Sequence, residues 1–317
     1  MNTTDSTFVI KTKIAALLIM QKQIQSKFLL WVHAARPKTL PAAVAPVAVG
    51  SAVAIGAGKF MLLPALVCLA CAMILQIAVN FANDYFDYKN NIDSKERLGP
   101  VRVTQSGLIP PAEVKGAMIF ALILAGLLFL YLVSVGGLII ILLGVASILA
   151  ALAYSGGPFP LASHALGELF VFIFFGLVAV CGTYFIQAGE MSWMAVIASI
   201  PPGMLITAIM VVNNLRDRET DRKAGKNTLA VVLGHNGTVR GYMFLLVISY
   251  LIPVFLYIYD MPIAICLPLL TLPFGLSLIR EVHNEQGSAL NETLAKTAKL
   301  SLLYSLLFAI GLMWSTG

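Results

Sequence analysis

The chain has 317 residues, of which 59% are hydrophobic and only 11% charged, and its net charge is +6. Soluble domains carry about 25% charged residues, so this chain, at 34.0 kDa and a mean hydropathy of +0.89, has too few charges to keep a globule in water. The balance places it in a lipid bilayer and excludes a disordered chain, a coiled coil, a disulfide scaffold and a nucleic-acid-binding domain.

In chain order, residues 1–35 come first. They mix Lys11, Lys13, Lys22 and Lys27 with the apolar runs 14–20 and 28–32. No small-residue cleavage site follows an apolar core of signal length. The segment therefore reads as a basic amphipathic stretch lying on the membrane surface. Residues 36–317 read as one membrane domain. A spanning helix needs about 20 mostly apolar residues. Nine segments meet that requirement: 39–58, 61–82, 116–136, 137–155, 166–187, 191–212, 241–259, 261–279 and 300–316. The predicted fold is thus all-α, a polytopic nine-helix membrane bundle. The third and fourth spans divide at Gly136-Gly137, and Pro201-Pro202 should kink or break the sixth. Cys68 and Cys71 have C-x-x-C spacing, but inside an apolar helix with no second pair they read as packing residues.

Lys and Arg orient this bundle. Of the 21, only Lys59 falls in a loop on one side, and the other 20 fall on the opposite side. The positive-inside rule then places the N-terminus in the cytoplasm and the C-terminus outside, in a cell (inner) membrane. Acids do not set orientation, yet eight of the 15 lie in the two long loops 83–115 and 213–240. They need another explanation.

The first loop opens with Asn80-Phe-Ala-Asn83-Asp84-Tyr-Phe-Asp87 and runs on to Asp93. The second opens with Asn213-Asn214-Leu-Arg216-Asp217 and continues to Asp221. Each starts with Asn and, four residues later, Asp. A second Asp follows three or four residues on, which puts all three side chains on one helical face. The pattern recurs 133 residues apart, a weak internal repeat of the kind that places a membrane site at the repeat interface. Clustered carboxylates near a bilayer require neutralising. Mg²⁺ suits the role, because it takes oxygen ligands and is held by one or two carboxylates plus substrate phosphates. Lys89, Lys95, Arg97 and Arg102 follow the first motif, and Arg216, Arg222, Lys223 and Lys226 surround the second; such cations clamp diphosphates. No Walker or dinucleotide glycine motif is present, so nucleotide binding has no support.

Further stretches accompany these motifs: Arg36-Pro-Lys38-Thr-Leu40, Arg97-Leu-Gly-Pro with Gln105-Ser-Gly, Tyr154-Ser-Gly-Gly-Pro-Phe-Pro-Leu161 with Gly167-Glu168, and Gly225-Lys-Asn-Thr-Leu229. Together they resemble the UbiA superfamily of intramembrane aromatic prenyltransferases, in particular its branch acting on 1,4-dihydroxy-2-naphthoate in menaquinone biosynthesis. The resemblance runs from about Arg36 to the C-terminus. His164 departs from the aromatic residue expected there. The resemblance implies transfer of a polyprenyl group from an allylic polyprenyl diphosphate to 1,4-dihydroxy-2-naphthoate, with loss of pyrophosphate and carboxylate. It implies Asp84, Asp87, Asp217 and Asp221 as Mg²⁺ ligands, with Asp93 a further ligand or neighbour. It makes Asn80 and Asn213 orienting or diphosphate-binding groups, and Arg97, Arg102 and Lys226 the clamps. Tyr154 is either an aromatic face over the developing cation or an interfacial tyrosine. Glu168 either faces the cavity or favours the helix start. The acceptor carboxylate falls to Arg36, Lys38 or Arg102. Other aromatic acceptors, such as 4-hydroxybenzoate or homogentisate, remain open. A CDP-alcohol phosphotransferase would need Gly after Asp87 or Asp217. A transporter would place its acids near the bilayer midplane.

Overall fold

The computed structural model describes residues 26–90, 98–99 and 101–314, and these form helices joined by turns and loops, with no strand among them. Asp93, Lys95, Arg97 and residues 1–25 lie outside the described residues. The spans are α1 (Pro41–Gly56), α2 (Leu62–Lys89), α3 (Pro111–Gly136), α4 (Leu138–Ser155), α5 (Gly167–Ala188), α6 (Trp193–Lys223), α7 (Leu229–Ile258), α8 (Ile263–Asn284) and α9 (Gly287–Met313). Among the described residues, α2 to α9 are each long and apolar enough to cross a membrane. The shorter α1 is bent by 47° from Ser26–Thr39, and counted with it as one span it brings the number to nine. The protein is a multi-pass membrane protein.

Several helices extend past the apolar runs. α7 starts at Leu229 and is interrupted at Gly234, whose φ is 67°; α9 starts well before residue 300. Charged residues end an apolar stretch but not a helix, so the backbone ladder continues into the polar layer. α6 also runs unbroken through Pro201-Pro202. Neighbouring helices can absorb a proline inside a bundle, and here α5 lies directly against it: a Cβ on Gly176 or on Gly203 would come within 2.9 Å of the other's Cα. That close approach falls beside the π-helical turn Phe172–Val178 of α5.

α6 is the centre of the bundle, with 67% of its apolar window buried, against 17% for α4. α1, α5, α7 and α9 surround it. Their core holds buried tyrosines with satisfied hydroxyls, Tyr242 on Thr297 at 3.1 Å and Tyr250 on Thr271 at 2.8 Å. α4 turns Leu138, Leu142, Val145 and Leu149 outward. Their spacing of four, three and four residues forms one helical face, and lipid is the medium that covers it.

Candidate functional site

A cavity of about 420 Å³ lies between α1, α2, α4, α5 and α6. One end is charged and the other apolar. Along α2 its wall runs from Asp87 down to Cys68. Nineteen residues at 1.5 Å each make this about 28 Å, close to the thickness of a bilayer's hydrocarbon core. Cys68 and Cys71 are therefore wall residues of this groove as well as packing residues.

The charged end is built by the final turns of α2 and α6. Asp87 is buried and ion-paired with the buried Arg102 from the α2–α3 loop. Asp217 accepts from Arg216, Nε at 2.8 Å and Nη2 at 2.5 Å. Asp221 pairs with Lys226 at 3.4 Å, across the turn made by Gly225 at φ 73°. All three aspartates line the cavity, as do Arg102 and Lys226. They are near enough for Asp87 and Asp217 both to repel Asp221.

Asp84 stands apart from the other expected ligands. It is 2% exposed and is not on the cavity wall. Its two oxygens accept the backbone N–H groups of Thr104, at 3.3 Å, and Val103, at 3.2 Å. This carboxylate anchors the loop that carries Arg102. Asn80 does line the cavity, but its amide nitrogen donates to Ala35 O at 2.8 Å and to Thr39 Oγ1 at 2.9 Å. Both donors are thus committed to the bend around Arg36, which holds the left-handed backbone φ 52°, ψ 67°. Arg36 and Lys38 line the cavity from that bend. Asn213 Oδ1 accepts from Arg216 Nη2 at 2.9 Å.

Tyr154, at the end of α4, lines the cavity with its hydroxyl 3.2 Å from Met210 Sδ. Glu168 is buried off the wall. Its Oε1 accepts from Asn214, a wall residue, at 2.8 Å, and its Oε2 has no partner among the described residues. Three contacts escaped the sequence reading: Ser155 donating to Asn83, Asn214 on Glu168, and Asn291 on Arg216. The neighbouring Asn213-Asn214 pair was a local signal for the second. Nothing near Asn291 in the sequence marks it.

Among the described residues no three His, Cys, Asp or Glu side chains form a ready-made metal cage. The donor set still fits Mg²⁺. That ion is commonly held by one or two carboxylates and completed by phosphate oxygens and water, and three cavity-facing carboxylates meet three cations here.

Comparison with known proteins agrees with this geometry. The chain is 35% identical over 303 residues to the 1,4-dihydroxy-2-naphthoate octaprenyltransferase of Haemophilus influenzae, covering 92% of this chain and 98% of that one. It is 37% identical over 306 residues to the protein of the same name from Escherichia coli K12, covering 93% and 99%. In fold it matches a UbiA homolog from Archaeoglobus fulgidus solved with DMAPP and Mg²⁺, at a TM-score of 0.61 and 17% identity over 88% of this chain and 99% of that chain. The UbiA prenyltransferase family is matched across residues 43–313, which include most of the cavity wall, and the chain belongs to that family.

Proposed function

We propose that the protein transfers a polyprenyl group from an allylic diphosphate to 1,4-dihydroxy-2-naphthoate, as a step toward menaquinone. One observation carries the reading: paired acids and cations head a groove that is otherwise mostly apolar and about as long as a bilayer's hydrocarbon core is thick. A diphosphate fits the head and an isoprenoid tail fits the groove. The names of relatives covering nearly the whole chain supply the acceptor.

Asp87, Asp217 and Asp221 would hold Mg²⁺. Bound there, the ion neutralises the diphosphate and stabilises pyrophosphate as it leaves. Arg102 and Lys226 hold the diphosphate oxygens, and Asp84 keeps Arg102 in place through its loop. As the allylic C–O bond breaks, its electron pair leaves with pyrophosphate and the carbon gains cation character. A ring carbon of the hydroxylated naphthoate supplies the pair for the new C–C bond. Loss of the carboxylate as CO₂ returns a pair to the ring, so the chemistry needs no oxidant and no covalent enzyme intermediate. Tyr154 lends its ring to the cation from the wall. Arg36 and Lys38 meet the acceptor carboxylate at the mouth. Glu168 acts at one remove, by orienting Asn214. The mouth and the N-terminus face the cytoplasm and the C-terminus faces outside, across the cell (inner) membrane, as the Lys and Arg bias supports.

Purified protein in detergent tests this with Mg²⁺, geranylgeranyl diphosphate and either 1,4-dihydroxy-2-naphthoate or 4-hydroxybenzoate. A prenylated, decarboxylated naphthoquinol is the expected product. Prenylation of 4-hydroxybenzoate alone would overturn the acceptor and keep the chemistry. No product with either acceptor, from folded protein, would count against both.

A further inference from the structure

We infer that Asn291, in the last span, is a positioning residue that fixes the two acidic motifs relative to each other; the inference rests on reading the cavity head as a diphosphate site. Its amide makes two bonds in opposite directions. Nδ2 donates to the backbone carbonyl of Leu98 at 2.9 Å, and Oδ1 accepts from Arg216 Nη1 at 2.9 Å. Leu98 lies four residues before Arg102, the partner of Asp87. Arg216 is the partner of Asp217 and also holds Asn213. Asn291 is thus the link between an ion pair of the first motif and an ion pair of the second.

The residue type matters. An amide side chain offers a donor and an acceptor on neighbouring atoms; ionised Asp has no donor and Ala has neither. The loop is also fitted to the guanidinium. A Cβ on Gly99 would lie 2.8 Å from Arg216 Nη2 and 3.1 Å from its Cζ. The backbone at Gly99 therefore passes close against the guanidinium, and a side chain there would press on it. Arg216 itself is 4% exposed, so its five donors must be met by protein. Asn291 lies 75 residues from Arg216 and 193 from Leu98, so these contacts exist only when α9 docks against α6.

The experiment uses the full chain in detergent, with Mg²⁺ and inorganic pyrophosphate as the probe, by titration calorimetry. Trypsin cleavage after Arg102 and the thermal midpoint are read on the same samples. Asn291→Ala should weaken pyrophosphate about tenfold, as expected for one lost bond to a charged group. It should also speed cleavage after Arg102, with the thermal transition retained. Asn291→Asp keeps an acceptor for Arg216 and loses the donor to Leu98. It should be cleaved as fast as Asn291→Ala while binding pyrophosphate more tightly than that variant. Equal pyrophosphate affinity in wild type and Asn291→Ala overturns the inference. So does a weakening that appears only with loss of the thermal transition in both variants, because Asn291 would then serve folding alone. If Asn291→Ala yields no folded protein, Asn291→Asp is the second reading, since it alone removes the donor to Leu98. Wild-type cleavage after Arg102 in that variant overturns the inference. Wild-type protein that binds no pyrophosphate with Mg²⁺ would sink the proposed function as well, which separates the two failures.

Discussion

The two acidic motifs look alike in sequence but are supported differently. On α6 the support is local: Asp217 is held by the adjacent Arg216, and Asp221 by Lys226 one turn on. On α2 it is remote: Asp87 depends on Arg102, fifteen residues away in a loop, and that loop depends on Asp84. A helix end can hold its own cations, whereas a loop must be tied down first. The first motif is therefore the half whose ion-pair partner is carried by a loop and tied down by a carboxylate off the cavity wall, Asp84.

The comparison can be broken most severely by removing the wall carboxylates themselves. Asp87→Asn and Asp217→Asn should each lower kcat/KM about 10³-fold, the scale for loss of a preorganised electrostatic group. A steady-state assay with saturating Mg²⁺ checks this, and a loss confined to one motif would show that the halves are not equivalent in catalysis. Next in size, Arg102→Ala leaves Asp87 buried without its ion-pair partner. Breaking a buried pair costs about 3–5 kcal/mol, and thermal unfolding in detergent should show it as a lower midpoint. Asp84→Ala comes third. It removes the acceptor of two backbone amides, at about 1–3 kcal/mol, and should raise the KM for the diphosphate donor while leaving the acceptor KM alone. Asp84 acting directly on the metal would instead reduce kcat as severely as Asp87→Asn does. The smallest effect belongs to Lys226→Ala, whose pair with Asp221 is partly open to solvent. A roughly threefold rise in donor KM is expected there, in line with the weakness of solvated pairs.

Much of this was legible in the sequence, for identifiable reasons. The apolar runs placed the spans because hydrocarbon thickness imposes a length. The Asn and Asp spacing placed Asp87, Asp217 and Asp221 at one cavity because helical periodicity fixes a face. Arg36, Lys38, Arg102, Lys226 and Tyr154 lie on the same wall, as their motifs suggested. That Asp84 lies off the wall and under a loop was not legible, because the same periodicity cannot say which side of a face a loop will cover. Glu168, which the sequence left open, lies one layer behind the wall, bonded to the wall residue Asn214. Asn291 was invisible because its partners are 75 and 193 residues away. Helix ends were set too short for a simpler reason: hydropathy reports where the lipid stops, not where the hydrogen-bond ladder stops.

α4 is a wall one helix thick. Ile140, Leu143 and Ser147 face the groove, while Leu138, Leu142, Val145 and Leu149 face the bilayer. A long isoprenoid is thus in hydrocarbon on either side of this wall, and the enzyme gains little by extracting it from lipid. The quantity that sets occupancy of the groove is the donor's mole fraction in the membrane, not its amount per litre of buffer. Diluting vesicles with further lipid at constant total donor should slow turnover, whereas diluting the same vesicles with buffer should not.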